Sequence, residues 1–293
     1  MVSLASTADV LAALGSARSV VFSTYVLHPG CVLDALEAAA VRGARVEVRV
    51  EAVPYRSGSL ARLNARMVER LRRAGIDARV RDGVHEKSLR TDAAAFYDDC
   101  NWLDRGGDTI VRDDEPDDPA FATTKGGALA SELRLIESAR SGDAIDLETE
   151  SFGNGPISGA LERAARAGIR VRVVVARREL RGDRREARTI ATLERAGVEV
   201  RASDAAEKFA IVGQSAWVGS ANATYGAFDQ TDWGTSTSDA TIRTHCEEAF
   251  VSRWRGVRKE KAPARAGAFR LPMVCARQSL MRASTKNWNG CLV

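Results

Sequence analysis

Residues 19–52 read SVVFSTYVLHPGCVLDALEAAAVRGARVEVRVEA, and residues 143–177 read DAIDLETESFGNGPISGALERAARAGIRVRVVVAR. Each stretch contains an apolar strand, a turn with Gly and Pro, a helix and a second strand. The change from a period of about 3.6 to a period of 2 marks the passage from helix to strand. Gly43 and Gly168 stand at equivalent places before the second strand, where glycine suits the end of a helix. The two stretches therefore indicate an internal duplication.

The duplication continues towards the C-terminus of each half. MVERLRRAGIDARV at 67–80 matches TIATLERAGVEVRA at 189–202, so each half adds another helix and another strand. This alternation predicts an α/β fold with two similar subdomains, each a mixed, largely parallel sheet flanked by helices. We expect a pseudo-twofold axis to relate the two halves, with the functional site between them.

The repeat predicts four parts of the chain. Residues 1–112 form the first half, and residues 128–255 form the second. Residues 113–127 are acidic and contain two prolines, which is typical of a solvated linker. Residues 256–293 are a basic C-terminal extension. The first 22 residues are predicted to begin the first helix and not to be a signal peptide, because they lack a basic start and contain an acidic residue.

The composition of the 293 residues is that of a globular protein, with 45% hydrophobic and 28% charged residues. These values exclude a collagen, a coiled coil or bulk disorder. A net charge of +4 permits an anionic partner without requiring one. No apolar run reaches the roughly 18–20 residues that a membrane span needs. The five cysteines include no C-x-x-C pair, which argues against a zinc site and predicts a cytoplasmic protein, although export of a processed form stays open.

The segments that follow the third strand of each half carry the candidate chemistry. VHEKSLRTDAAAFYDDCNW at 84–102 aligns without a gap with AAEKFAIVGQSAWVGSANA at 205–223. Lys87 then falls on Lys208, so two of the six lysines of the chain occupy one position of the repeat. This coincidence indicates a shared site to which each half contributes.

The first half carries the pattern His85-x-Lys87-x4-Asp92. On a strand, His85 and Lys87 would project from the same face. Two such copies facing each other would surround one anion with imidazole, lysine and asparagine groups, which suits a phosphodiester. One imidazole would attack phosphorus and the other would protonate the leaving oxygen, while lysines and amides offset the charge. This chemistry needs no metal or other cofactor, and we expect none.

At these motifs the chain resembles the phospholipase D superfamily, over about residues 8–255. The resemblance rests on HEKSLRTD in the first half, and on EKFAIVG and GSAN (219–222) in the second. It implies a metal-independent phosphodiester hydrolase or phosphatidyl transferase that acts through a phosphohistidine at His85. The family also carries N-x-E downstream, whose acid orients a motif histidine; here G-x-D and Q-x-D occupy those places. The implied site residues are His85, Lys87, Lys208, Asn101, Asn222, Ser220, Asp108 and Asp232.

The second motif departs from the family pattern at its reactive positions. Ala206 stands where the second histidine is expected, and Gly213 stands where the aspartate is expected. In the first half, Asp98 and Asp99 replace the Gly-Ser of G-S-x-N. The joint site would then hold one motif histidine, and its usual general acid would be missing.

Three other residues are candidates for the missing acid. His28 follows the first strand, and loops at the carboxyl ends of parallel strands form α/β sites; it can equally be a turn residue before Pro29. Glu148 and Glu150 share one face of a strand in the second half. Either they line the cavity as substrate-binding groups, where a raised pKa would make one a general acid, or their strand is an exposed edge.

The substrate class stays open at this point. We favour a phospholipid-type phosphodiester because of the duplication and the modest net charge, with a nuclease-type phosphodiesterase as the alternative. Loss of the second histidine also fits a non-catalytic phosphate-binding module. Trp102, Trp217 and Trp233 can rim an acyl pocket or fill the core. A monomer is favoured, and a dimer is possible.

Overall fold

The structure is a computed structural model that describes residues 2–102, 109–115, 121, 124–177, 184–203 and 207–256. By its internal contacts the chain divides into Met1–Glu260 and Lys261–Val293. Every described residue belongs to the first unit, so the predicted C-terminal extension lies outside the described residues except for Gly256. In the described part of the chain, no helix combines the length and apolar character needed to cross a membrane.

The described residues of the first half form one sheet with three α-helices around it. The helices are α1 (Thr7–Ser16), α2 (Cys31–Val41) and α3 (Gly58–Arg73). The strands are β1 (Val2–Ala5), β2 (Ser19–Thr24), β3 (Arg45–Glu51), β4 (Asp77–Arg81), β5 (Ser88–Thr91), β6 (Ala95–Asp98) and β7 (Ile110–Asp113). Their order in the sheet is β1-β7-β6-β5-β2-β3-β4.

The second half repeats this arrangement. Its helices are α4 (Gly127–Glu137), α5 (Pro156–Arg166), α6 (Arg184–Arg195) and α7 (Ala240–Gly256). Its strands are β8 (Ala144–Thr149), β9 (Arg170–Ala176), β10 (Glu199–Ser203), β11 (Phe209–Val212), β12 (Ser215–Gly219) and β13 (Gly234–Thr237). Their order, β10-β9-β8-β11-β12-β13, matches that of the first sheet from β4 to β7. The duplicated α/β fold with two mixed sheets is confirmed.

Parallel pairing is confined to three strands in each sheet. β2, β3 and β4 are parallel, as are β8, β9 and β10, because a helix connects each strand to the next. β5, β6 and β7 return antiparallel, as do β11, β12 and β13. Among the described strand pairs, seven are antiparallel and four are parallel. The sheets are therefore less parallel than predicted above.

The chain begins with a strand and not with the predicted helix. β1 pairs antiparallel with β7 at the edge of the first sheet. α1 starts only at Thr7, where Ser6 Oγ accepts the N–H of Asp9 at 3.3 Å, and Asp9 accepts the N–H of Ser6 at 2.8 Å. This reciprocal cap fixes the start of α1. Periodicity cannot distinguish a strand as short as the four-residue β1 from the start of a helix. The pattern Ser6-x-x-Asp9 could have shown that the helix begins only after Ser6.

An apolar cluster fills the space between the two sheets. α7 packs against β1 of the first sheet and against four strands of the second. Its buried side chains join Tyr97 of the first sheet and Phe209 of the second in one cluster. Trp217 and Trp233 are also fully buried, so they fill the core and do not rim an acyl pocket.

Candidate active site

The two motif lysines lie at equivalent places in the two sheets. Lys87 immediately precedes β5, and Lys208 immediately precedes β11. The sequence had suggested that the motif residues lie within strands, but they stand just before β5 and β11. The pairing nevertheless continues, because Lys87 O accepts the N–H of Asp98 at 2.9 Å and Lys208 O accepts that of Gly219 at 3.1 Å. Both lysines thus lie at the carboxyl ends of the parallel strands β2 and β8, where α/β sites form.

His85 of the first half contacts Asp232 of the second. The distance from His85 Nδ1 to Asp232 Oδ1 is 2.6 Å. The same oxygen accepts the hydroxyl of Ser220 at 2.7 Å. The backbone N–H of His85 donates to Thr231 O at 2.9 Å, which holds the motif against the segment that carries the aspartate. The two halves therefore build this pair jointly.

The charge states in this pair leave one imidazole nitrogen available as a nucleophile. Burial lowers the pKa of His85, with help from the Lys87 ammonium, so the ring is neutral at neutral pH. Burial acts to raise the pKa of Asp232, but His85, Lys87 and the Ser220 hydroxyl outweigh it and hold that pKa below its ordinary value. An ionised carboxylate only accepts hydrogen bonds, so Nδ1 carries the proton and Nε2 keeps its lone pair.

The two lysines bring positive charge into a buried site. Each is only 2% exposed. Lys87 Nζ donates to His85 O at 2.7 Å, and Lys208 Nζ donates to Asp99 O at 3.2 Å. Burial, and next the charge of Lys208, lower the pKa of Lys87 to about 8. Repulsion between the two ammonium groups contributes to the lowered pKa of Lys87, and an anion bound between the lysines would offset that repulsion.

The two asparagines occupy equivalent places, each against the segment that follows the first parallel strand of its half. Asn101 Oδ1 accepts the N–H of Val26 at 3.1 Å, just beyond β2. Asn222 Oδ1 accepts the N–H of Ser151 at 3.2 Å, just beyond β8. Each amide is thus fixed through its oxygen, and its Nδ2 hydrogens are the donors suited to a phosphate oxygen.

The two candidate glutamates have different surroundings. β8 lies between β9 and β11, so the expectation of an exposed edge strand is wrong. Glu150 Oε2 lies 3.4 Å from Lys208 Nζ, and Glu150 Oε1 accepts the Tyr55 hydroxyl at 3.4 Å. Glu148 instead pairs with Arg253 of α7 at 2.9 Å, and burial raises its pKa to about 7. Only Glu150 of the two contacts a motif lysine.

The remaining candidates divide into described and undescribed positions. His28 is half-buried and lies two residues beyond Val26, the partner of Asn101. Asp99, which replaces the serine of G-S-x-N in the first half, is buried and accepts the backbone N–H of Lys208 at 3.3 Å, so it lies against the second motif. Asp108 and Ala206 lie outside the described residues.

The aspartate of the first motif anchors the backbone away from the chemistry. Asp92 Oδ1 accepts the N–H of Arg18 at 2.9 Å and that of Ser19 at 3.3 Å, at the start of β2. Its counterpart, Gly213, has a φ of +56°, and a Cβ there would lie 3.1 Å from the Asp143 carboxylate. The loss of aspartate at position 213 therefore alters a turn and removes no reacting group.

The sequence analysis missed Tyr25, which lies beside His85, and Tyr55, which contacts Tyr25. The Tyr25 ring meets the His85 ring edge-on, with centroids 4.6 Å apart. The Tyr25 hydroxyl accepts the N–H of Tyr55 at 2.6 Å, and Tyr55 adopts the left-handed φ of 50°. Both line a cavity of about 800 Å³ that also contains Arg56 and Gln230. Their positions just after β2 and β3 were the available signal.

The described residues contain no group of three or more His, Cys, Asp and Glu side chains arranged to hold a metal ion. Together, the fold and these contacts define a duplicated α/β protein with an H-x-K motif at the junction of its halves.

Comparison with known proteins agrees with this class. Residues 133–254 match the family described as cardiolipin synthase, PLD-like domain. The second half of the chain therefore matches a PLD-like domain, which agrees with the resemblance of the motifs to the phospholipase D superfamily. A comparison with curated proteins gives no match.

Solved structures with TM-scores above 0.5 share the fold at low sequence identity. Polyphosphate kinase from Porphyromonas gingivalis is 18% identical, with a TM-score of 0.61 over 87% of this chain and 47% of the kinase. This chain therefore spans about half the length of that kinase. Phosphatidylserine synthase from Haemophilus influenzae Rd KW20 is 11% identical, with a TM-score of 0.61 over 87% of this chain and 86% of the synthase. The phospholipase D family member Nuc from Salmonella typhimurium is 22% identical over 46% of this chain and 92% of Nuc, with a TM-score of 0.42.

Proposed function

We propose that the protein is a metal-independent phosphodiester hydrolase or phosphatidyl transferase that acts through a phosphohistidine at His85. The observation that carries this proposal is the 2.6 Å contact between His85 Nδ1 and Asp232, which directs Nε2 as the nucleophile. Lys87 and Lys208 would bind the phosphate, and Asn101 and Asn222 would donate to its oxygens. Ser220, which the sequence analysis placed among the site residues, instead donates its hydroxyl to Asp232.

The proposed reaction has two displacements. Nε2 of His85 attacks phosphorus, so a P–N bond forms while the P–O bond to the first alcohol breaks. The departing oxygen takes a proton, and we assign that proton to Glu150 because its carboxyl group reaches the proposed anion site, 3.4 Å from Lys208 Nζ. Lys208 alone favours the ionised carboxylate, but a bound phosphodiester would engage the ammonium group and add a negative charge, and both effects favour the protonated form of Glu150. In the second step, water or another alcohol loses its proton to Glu150 and attacks phosphorus, and the P–N bond breaks.

A phospholipid-type diester is the substrate class that we propose first. The matched family is described as cardiolipin synthase, and the neighbour of similar length is a phosphatidylserine synthase. The net charge of +4 offers little attraction for a polyanion such as nucleic acid. Hydrolysis of phosphatidylglycerol and phosphatidylcholine vesicles should therefore exceed that of single-stranded DNA, and the reverse order would assign a nuclease-type activity.

A non-catalytic phosphate-binding module is the second candidate. Ala206 in place of the second motif histidine favours it. A binding module would have no use for a neutral, oriented imidazole beside the lysines, so His85 separates the two proposals. The replacement of His85 described in the Discussion is the deciding experiment.

Lys87→Ala and Lys208→Ala should weaken anion binding to similar extents. Each removes a charged donor from one shared site, and a hydrogen bond to a charged group contributes about 1.5–3 kcal/mol, or roughly 10- to 150-fold in affinity. Isothermal titration with inorganic phosphate measures this effect. Lys125→Ala, which alters an exposed lysine, serves as the matched control. A loss in Lys87→Ala alone would mean that the halves do not share one anion site.

Anion binding should weaken above pH 8. Because the pKa of Lys87 is lowered to about 8, its ammonium is present below that pH and is lost above it. The dissociation constant should then rise by up to about tenfold per pH unit. Sulfate is the probe of choice because its own charge does not change over this range. The slope should be absent in Lys87→Ala, and a slope that persists there would assign the titration to another group.

A further inference from the structure

Glu132 is a buried carboxyl group that the proposed reaction does not use. It lies on α4, is 1% exposed, and has apolar helix neighbours such as Leu129 and Ile136. α4 packs against β13, which begins two residues after Asp232. Glu132 Oε2 is buried and has no hydrogen-bond partner among the described residues. A buried polar atom in this state is costly, so a partner is expected.

One carboxylate oxygen of Asp232 is buried without a hydrogen-bond donor among the described residues. Its Oδ1 accepts both the His85 ring N–H and the Ser220 hydroxyl. Its Oδ2 is buried and, within the described part of the chain, has no hydrogen bond. A carboxylate that turns one oxygen to two donors and leaves the other unsatisfied is an unusual arrangement in a protein interior.

The charge state of Glu132 makes it a donor. Burial, and next the charge of Asp232, raise the pKa of Glu132 to about 8. Asp232 is the one charged group among the described residues that shifts it, and His85 and Lys87 act on Asp232 in turn. At neutral pH Glu132 therefore carries an O–H group, and the acceptor that its packing offers is Asp232.

We propose that Glu132 is a positioning residue for His85, because its neutral carboxyl group donates a hydrogen bond to Oδ2 of Asp232. The inference rests on the proposed role of His85 as the nucleophile. No proton is transferred in this arrangement; Glu132 O–H, Ser220 O–H and His85 Nδ1–H all donate to one carboxylate.

The third donor, Glu132, lowers the pKa of His85 by acting on Asp232. It withdraws electron density from Asp232, so the carboxylate stabilises an imidazolium less and His85 stays neutral and nucleophilic. Above pH 8, Glu132 loses its proton, the donor is replaced by a second negative charge, and His85 should hold its proton more strongly. Asp232 then becomes one of two coupled carboxylates.

NMR titration of the histidine rings in the full-length chain tests this inference, and the chain contains only three histidines. In Glu132→Leu the donor is lost, and the pKa of His85 should rise by about one unit. In Glu132→Gln the amide N–H replaces the acid O–H, so the His85 pKa and tautomer should match those of the wild type at neutral pH. In a Lys87→Ala background, which removes the other group that titrates near pH 8 beside His85, the His85 resonance should also show a second inflection near the pKa of Glu132, and the added change Glu132→Gln should abolish it.

Ser131→Ala is the matched control, because it disturbs the same buried turn of α4 by removing the acceptor of Trp217 Nε1–H. It should leave His85 unchanged. Equal His85 titrations in the wild type and Glu132→Leu would overturn the inference, as would equal shifts in Glu132→Leu and Ser131→Ala. The NMR readout needs no turnover, so a protein with no phosphodiesterase activity would refute the proposed function and leave this test intact.

Discussion

Replacement of His85 by alanine is expected to abolish hydrolysis of bis(p-nitrophenyl) phosphate and to leave the fold intact. His85 is the only histidine in the motif register, and its Nδ1 is held by Asp232 at 2.6 Å. Removing a nucleophile that acts with its orienting partner costs on the order of 1,000-fold or more in kcat. Steady-state rates should be compared beside circular dichroism and thermal melting of both proteins.

His245→Gln is the matched control for this replacement. His245 lies on α7 and contacts Thr109 Oγ1 at 3.1 Å, outside the H-x-K motif. The His245→Gln protein should retain the turnover that the His85→Ala protein loses. Wild-type rates in His85→Ala would remove the phosphohistidine from the mechanism. The binding module would be favoured instead by two results together. The wild-type protein would turn over no diester, and His85→Ala would still bind phosphate.

The second large effect concerns the proton for the leaving group. Glu150→Gln should slow hydrolysis of alkyl phosphodiesters by roughly 100- to 10,000-fold, the usual contribution of general acid catalysis. The first turnover of aryl esters should be nearly unaffected, because nitrophenolate departs without a proton, whereas later turnovers also need Glu150 as the base for water. The measurement is therefore the ratio of alkyl to aryl rates in single-turnover experiments on the two proteins.

Two further variants make this test specific. Glu148→Gln changes the neighbouring glutamate of the same segment, whose partner is Arg253 and not Lys208, and should leave the alkyl-to-aryl ratio unchanged. Ala206→His, added to Glu150→Gln, restores the histidine that the family pattern places there and should raise the alkyl rate selectively. An unchanged ratio in Glu150→Gln would mean that Glu150 is not the acid, and His28 would be the next residue to replace.

The sequence by itself determined the duplication, the α/β class and the equivalence of Lys87 and Lys208. These features are local or repeated: helix and strand periodicity, glycine at helix ends, and a motif that recurs at one spacing. A strand order in which β2 to β7 match β8 to β13 follows from two copies of one pattern. The same patterns could not show that β5 to β7 return antiparallel, because short apolar runs carry no direction.

The tertiary structure decided which of the candidate side chains meet. His85 and Asp232 are 147 residues apart, and no periodicity predicts their contact. The sequence placed Glu148 and Glu150 on one face, yet α7 supplies Arg253 to the first, and the segment before β11 supplies Lys208 to the second. Glu132 had no motif to mark it, since its proposed role depends on burial against Asp232. Local sequence fixes which groups a segment carries, whereas packing between the two sheets and α7 fixes the charges and acceptors that surround them.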